Sequence, residues 1–288
     1  CVMPIIRGLV SQEKRMILNF DDREEVLSFV NSADAKELSQ VGAACPDHLV
    51  HTRRVPLYVD WDPKAGTIDS LIELLKEGIS RYAEEYKQYF NQYKNDGDTM
   101  FEPVPRVLLI PGVGMITTGK SKKMAEVSAA LYERAIAVMN GSTVLGRFTS
   151  LNAEESFNVE YWPLELYKLT LAPPEAEFSR QVVFITGGAG GIGSQTAHRF
   201  VQKGAHVVLA DLNIERAQQV ATELNQITGE QRAVAVHVDV TEEQLVQAGY
   251  REAILEFGGV DAIVNNAGLA TSSPFDETSL DEWNLNVN

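Results

Sequence analysis

The apolar run Val182-Val183-Phe184-Ile185 passes directly into Thr186-Gly187-Gly188-Ala189-Gly190-Gly191-Ile192-Gly193. A buried strand, a turn almost free of side chains and the opening of a helix account for this segment. It is also the context that a dinucleotide-binding glycine fingerprint requires. Glycines permit the tight turn and let the backbone come close to a pyrophosphate. The first turn of the helix offers unpaired N–H groups and a partial positive charge to the anion. The competing reading is a tight turn that binds nothing.

The residues downstream favour the functional reading. Strands are expected at 181–186, 206–211, 233–238 and 260–265, and helices at 191–203, 214–228 and 242–257. Short connections join them, which predicts an α/β fold of the Rossmann type, a doubly wound parallel sheet. Asp211 closes the second strand, 24 residues after Gly187. A carboxylate there accepts hydrogen bonds from a ribose 2′-hydroxyl and repels a 2′-phosphate. The next basic residue is Arg216, so NAD is expected over NADP.

Three motifs, Thr186-Gly187-x-x-x-Gly191-Ile192-Gly193, Asp239-Val240-Thr241 and Asn265-Asn266-Ala267-Gly268, occur in the order and spacing of the short-chain dehydrogenase/reductases. Residues 181–288 resemble that family. The resemblance implies that Thr186, Gly187, Gly191, Ile192 and Gly193 form the pyrophosphate turn and that Asp211 holds the adenosine ribose. It places Asp239 and Val240 beside the adenine, and Asn266, Ala267 and Gly268 along the path to the nicotinamide, with Asn265 structural. It also implies a homo-oligomer.

The family's chemistry uses a Ser and a Tyr-x-x-x-Lys pair, in which a tuned phenol moves the proton. None of the nine tyrosines is followed four places later by Lys. No catalytic residue is therefore assigned, and none at Asn288. The sheet is expected to be incomplete, with 260–265 as an open apolar edge. The chain then reads as part of a longer enzyme that binds NAD without turnover. A non-catalytic NAD-sensing or scaffold module is the alternative.

At ~100–200 residues per domain, 288 residues suggest about two. The Pro-rich acidic stretch Leu171-Ala172-Pro173-Pro174-Glu175-Ala176-Glu177 reads as a joint. The division expected is 1–172, a linker over 173–179, and 180–288. The formal charge of −15 disfavours nucleic acid and anionic membranes as partners. No apolar run reaches the ~20 residues of a membrane span. Two cysteines, Cys1 and Cys45, give no disulfide framework, and a cytoplasmic setting is expected. A first residue of Cys rather than Met agrees with a longer chain.

In the first region a short helix is expected from Asp21 to Val30, capped by Asp21 or Asp22. A strand is expected over 56–61, and apolar residues at three- and four-residue steps predict a helix over 68–93 whose tyrosine stripe is a packing face. A buried strand over 107–110 is expected to lead through a glycine-rich loop into a helix from Ser121 to Met139. Gly114-Met115-Ile116-Thr117-Thr118-Gly119-Lys120-Ser121 matches the P-loop pattern letter for letter. That makes a phosphate-binding enzyme a further alternative, although the bulky residues between its glycines argue against it. The basic helix start at Lys120, Lys122 and Lys123 would suit a sugar phosphate. Cys45, His48 and His51 have ligand-like spacing, but no further His or Cys cluster accompanies them and no metal site is assigned. A polar phosphosugar site at His48, His51, Arg53 and Arg54 is a milder reading, against a plain loop with packed histidines.

Three segments of this region, 45–52, 110–115 and 155–165, resemble the bifunctional rhamnulose-1-phosphate aldolase/alcohol (lactaldehyde) dehydrogenases. The stretch 107–139 resembles the C-terminal strand–loop–helix of a class II aldolase. The resemblance implies an α/β class II aldolase-like region ahead of the dehydrogenase. It further implies a sugar phosphate and a small aldehyde or alcohol as substrates, with retro-aldol cleavage followed by NAD-linked chemistry on lactaldehyde. The metal-binding histidine cluster of such aldolases has no counterpart in these residues.

Overall fold

A computed structural model describes residues 2–171 and 173–287. Cys1, Ala172 of the expected joint and Asn288 lie outside the described residues. The chain divides into two compact units, 1–176 with 255–259 and 177–254 with 260–288.

The first unit opens with α1 (Met3–Val10), β1 (Ile17–Asp21), α2 (Glu24–Val30) and α3 (Ala35–Ser39). A 3-10 turn (Pro46–His48), α4 (Leu49–Thr52), β2 (Leu57–Tyr58) and α5 (Ile68–Tyr93) follow. The unit continues through β3 (Val107–Ile110), β4 (Gly114–Gly119), α6 (Lys122–Leu145), α7 (Ala153–Glu160) and α8 (Pro163–Thr170). Its sheet has the order β1-β4-β3-β2, antiparallel except for the β2–β3 pair. Val26, Phe29 and Val30 of α2 and Tyr132, Ile136 and Met139 of α6 form one core with Val107, Leu109 and Met115 of the sheet.

Four expectations for this unit are corrected. Asp21 does not cap a helix: it ends β1, a strand the sequence did not announce, and α2 starts three residues later with Arg23 at its cap position. The strand expected over 56–61 shrinks to Leu57–Tyr58. Helix α6 starts one residue later than expected and runs six residues further.

The fourth correction removes the P-loop. Gly114–Gly119 is a fully buried strand, hydrogen-bonded on both sides to β1 and β3. Its β-branched Ile116, Thr117 and Thr118 suit a pleated ladder, and the ladder leaves no cradle of free amides. Gly114 is there because a Cβ would sit 2.4 Å from the Asp21 carbonyl oxygen. Ser121 caps α6 through the Met124 N–H. Helix α5 matches its expected span, and its buried face includes Leu71, Leu75, Tyr82, Tyr86 and Phe90. Ile68, at the first turn, is exposed instead.

The second unit contains β5 (Val182–Thr186), α9 (Gly191–Gln202), β6 (His206–Asp211), α10 (Ile214–Thr228) and β7 (Ala233–His237). Along the chain follow α11 (Glu243–Phe257), β8 (Ala262–Val264) and α12 (Leu280–Val287). The sheet order is β7-β6-β5-β8, parallel throughout. Near-continuous apolar strands such as Val182–Ile185 and Val207–Ala210 bury both faces, as a parallel sheet demands. The edge strand β8 is three residues long, and its Ile263 is half exposed.

Candidate functional site

Thr186, Asp211, Asp239 and Asn266 all stand at or just beyond the C-terminal ends of parallel strands. Strands β5 and β8 are neighbours although β6 and β7 separate them in sequence, so the winding direction reverses between them. Ligands of open α/β sheets bind in the crevice at such a switch point.

Gly187 bends the chain there with φ 63°, a conformation that costs a side-chain-bearing residue. The Gly190 N–H closes the turn on the Gly187 carbonyl at 3.1 Å. Helix α9 then begins without a side-chain cap, since Gly190 holds the N-cap position. Its first internal bond is Ser194 N–H to Gly190 O, so the amides of Gly191, Ile192 and Gly193 have no carbonyl within the helix. A Cβ on Gly193 would lie 2.1 Å from the Gly187 oxygen, so the fold itself requires that glycine. A Cβ on Gly191 would meet nothing within 4 Å. The bare position at 191 therefore serves no packing contact in this chain.

The turn is pinned from β5 and from the segment after β8. Thr186 Oγ1 accepts the N–H groups of Asn266 and Ala267, each at 3.0 Å. Asn266 Nδ2 donates to the carbonyls of Thr186 and Gly187 at 3.0 and 3.1 Å. The side-chain amide of Asn266 is thus spent on holding the turn, whereas Asn265 is exposed. The resemblance expected a structural role for Asn265, and Asn266 is seen to hold one. Ala267 and Gly268 are exposed beside the clamp.

Asp211 is fixed by two backbone amides. Its Oδ2 accepts from Ala189 and its Oδ1 from Asn213, both at 2.9 Å. Ala189 and Asn213 were not singled out in the sequence. The Asx-turn pattern Asp211-Leu212-Asn213 was the available signal for the second. Asp239 lies one strand further, and the Val238 N–H bonds the Asp211 carbonyl at 3.1 Å. The Asp239 carboxylate accepts from both the N–H and the hydroxyl of Thr241, and those bonds hold it below the usual carboxylate range. Ile192 is 77 % and Val240 52 % exposed, leaving apolar surface at the rim.

In the first unit, Arg53 is not available to a phosphosugar. It is buried, and its Nη1 pairs with buried Glu160 at 2.8 Å. Among the described residues no group of three or more His, Cys, Asp and Glu side chains could hold a metal ion.

Residues 1–169 match the family described as aldolase class II, second domain, and residues 181–288 match short chain dehydrogenase. An uncharacterized oxidoreductase of Bacillus subtilis (strain 168), YuxG, is 62% identical over 287 residues, which cover 100% of this chain and 42% of that protein. Meso-2,3-butanediol dehydrogenase of Serratia marcescens is 40% identical over 37% of this chain and 41% of its own length. D-threitol dehydrogenase of Mycolicibacterium smegmatis is 39% identical over 36% of this chain and 39% of its own length. The chain therefore spans about two-fifths of each of these relatives. It belongs to the class II aldolase second-domain family and carries a short-chain dehydrogenase domain behind that region.

Proposed function

We propose that the second unit binds NAD(H) for a short-chain dehydrogenase acting on a small aldehyde or alcohol, lactaldehyde in the first instance. The observation that carries this reading is the bond between Ala189 N–H and Asp211 Oδ2, which couples the glycine turn to the carboxylate one strand away. The residues fit a dinucleotide: space is open at Gly191, the first-turn amides of α9 lack helical acceptors, and an oriented carboxylate stands beside them.

In this reading the amides of Gly191, Ile192 and Gly193, with the helix dipole, neutralise the pyrophosphate. Asp211 accepts the ribose hydroxyls and repels a 2′-phosphate, which selects NAD over NADP. Val240 and Ile192 give the adenine an apolar rim. Asn266 keeps the turn in place. A nicotinamide dinucleotide held there supplies a hydride donor or acceptor. No Tyr-x-x-x-Lys occurs among the 288 residues, so in this reading the chain alone binds the dinucleotide without turnover.

The first region is assigned to the aldolase half of the same protein, with rhamnulose 1-phosphate as the sugar phosphate. Its support is the sequence resemblance of 45–52, 110–115 and 155–165. Relatives of the second region named for butanediol and threitol support a small hydroxylated substrate. Calorimetric titration of the chain with NADH and NADPH tests the cofactor. Saturable binding of NADH, with NADPH much weaker, is expected. Equal affinities would remove the NAD assignment, and no heat with either would remove the site. Mixing the chain with lactaldehyde and NADH should leave the absorbance of NADH constant.

A further inference from the structure

We propose that the first unit carries a separate small-molecule site, built on Arg54, for a short-chain monocarboxylate. Arg53 adopts φ 65° and ψ 176°, a strained backbone for a non-glycine residue. Its guanidinium turns inward to Glu160 and lies over the rings of Tyr86 and Phe101, 5.0 and 4.9 Å from their centroids. The next residue, Arg54, lines a cavity of about 140 Å³ with Arg53, Val55, Glu85, Tyr82, Tyr86 and Tyr89.

The tyrosine hydroxyls are already engaged. Tyr82 donates to the Val55 carbonyl, Tyr86 to Glu160 Oε1, and Tyr89 to Glu160 Oε2 at 3.4 Å. The cavity therefore meets these residues as rings. Arg53 is neutralised by Glu160, but no carboxylate or carbonyl among the described residues engages the guanidinium of Arg54. Its Nε is sealed from solvent without an acceptor, a costly state for a polar atom. Arg54 is half-buried, and its sealed Nε lacks an acceptor beside an apolar wall.

Size and charge select the ligand. A cavity of roughly 150 Å³ accommodates a molecule the size of benzene, so the space beside Arg54 suits a ligand of about six heavy atoms. An arginine fork matches a carboxylate with two parallel N–H···O bonds. Glu85, exposed at the rim, disfavours a dianion. The tyrosine rings and Val55 favour an apolar tail. A four-carbon monocarboxylate such as butyrate meets all three conditions.

The test is thermal unfolding of the intact chain, with saturation-transfer NMR of the probe, in sodium butyrate, sodium acetate, sodium phosphate or sodium chloride at one ionic strength. Butyrate is expected to raise the Tm and to show transfer to its methyl group, with acetate and phosphate weaker. Arg54→Gln should weaken butyrate binding about ten-fold or more through loss of the charge-assisted fork. The exposed change Glu85→Gln, which does not threaten folding, should tighten it. The proposal is overturned if butyrate binds no better than chloride, if phosphate or acetate does as well as butyrate, or if Glu85→Gln leaves butyrate affinity unchanged. Butyrate binding that survives Arg54→Gln would overturn it equally.

Discussion

The Ala189 N–H donates to Asp211 Oδ2 at 2.9 Å, and through that bond the glycine turn and the carboxylate share one geometry. The Asn213 N–H takes the other oxygen, so the carboxylate cannot swing away from the turn. Asp211→Ala removes both the ribose acceptor and the tie to Ala189. It should lower NADH affinity by about ten-fold or more, since hydrogen bonds to charged groups are worth about 1.5–3 kcal/mol. The preference for NADH over NADPH should shrink with it. Calorimetry on the variant reads both effects, and an unchanged preference would refute the role given to Asp211.

Gly191 and Gly193 separate folding from binding. Gly193→Ala drives a Cβ to 2.1 Å from the Gly187 oxygen and 2.8 Å from Asn266 Nδ2. Overpacking of this kind costs about 1–3 kcal/mol, so this variant should lose stability along with NADH binding. Gly191→Ala meets nothing within 4 Å, and Ala is a better helix former than Gly. Its melting temperature should be unchanged or slightly higher while NADH binding falls. A Gly191→Ala variant that binds NADH normally would show that no pyrophosphate passes over that position.

The elements legible in the sequence were those carried by local pattern. Helix α5 shows its three- and four-residue apolar steps and a Thr67–Ser70 capping box, and it was found at its observed span. Helix α10 was bounded equally well, with Asn213 at one end and left-handed Gly229 at the other. What escaped detection depends on distant partners. Strand β1 pairs Ile17 with Gly119, about a hundred residues away, and without that partner Asp21 and Asp22 look like helix caps. Strand β4 hid behind the spacing of a P-loop because its glycines answer to neighbouring backbone rather than to phosphate. At the candidate site the residue types were readable. Which of Asn265 and Asn266 turns toward Gly187 was not, because adjacent residues leave a strand on opposite faces and register alone decides.

The Arg53–Glu160 pair was invisible for the same reason, being 107 residues apart. Glu160 also accepts from the Tyr86 hydroxyl at 2.8 Å, and burial pushes that phenol far above its ordinary range. The carboxylate thus holds a buried cation and a neutral phenol together. Glu160→Gln leaves the cation without its charge partner, which typically costs about 3–5 kcal/mol. Fluorescence of Trp61 and Trp162 during denaturation reports on this unit. A loss below about 1 kcal/mol would mean that Arg53 reaches solvent or another acceptor when its partner is gone.

Asp21 supplies the pH dependence. Its side chain is 6% exposed, and it accepts from the Arg23 guanidinium at 2.6 and 2.9 Å and from the Arg23 N–H at 3.1 Å. The bonds from the guanidinium, chiefly, hold its carboxyl below the usual range, outweighing the opposing effect of burial. A carboxyl with a lowered pKa in the folded state favours folding wherever it is ionised. Its contribution is fully present above the unfolded pKa, about 3.9, and is lost as pH falls through the lower folded value. Asp21→Asn should therefore be less stable than the parent by a constant margin from neutral pH down to about pH 5. The margin should narrow below about pH 4, as the parent's carboxylate takes up its proton. Denaturant midpoints for both proteins across that range measure it, and a gap that stayed constant or widened on acidification would contradict the ion pair.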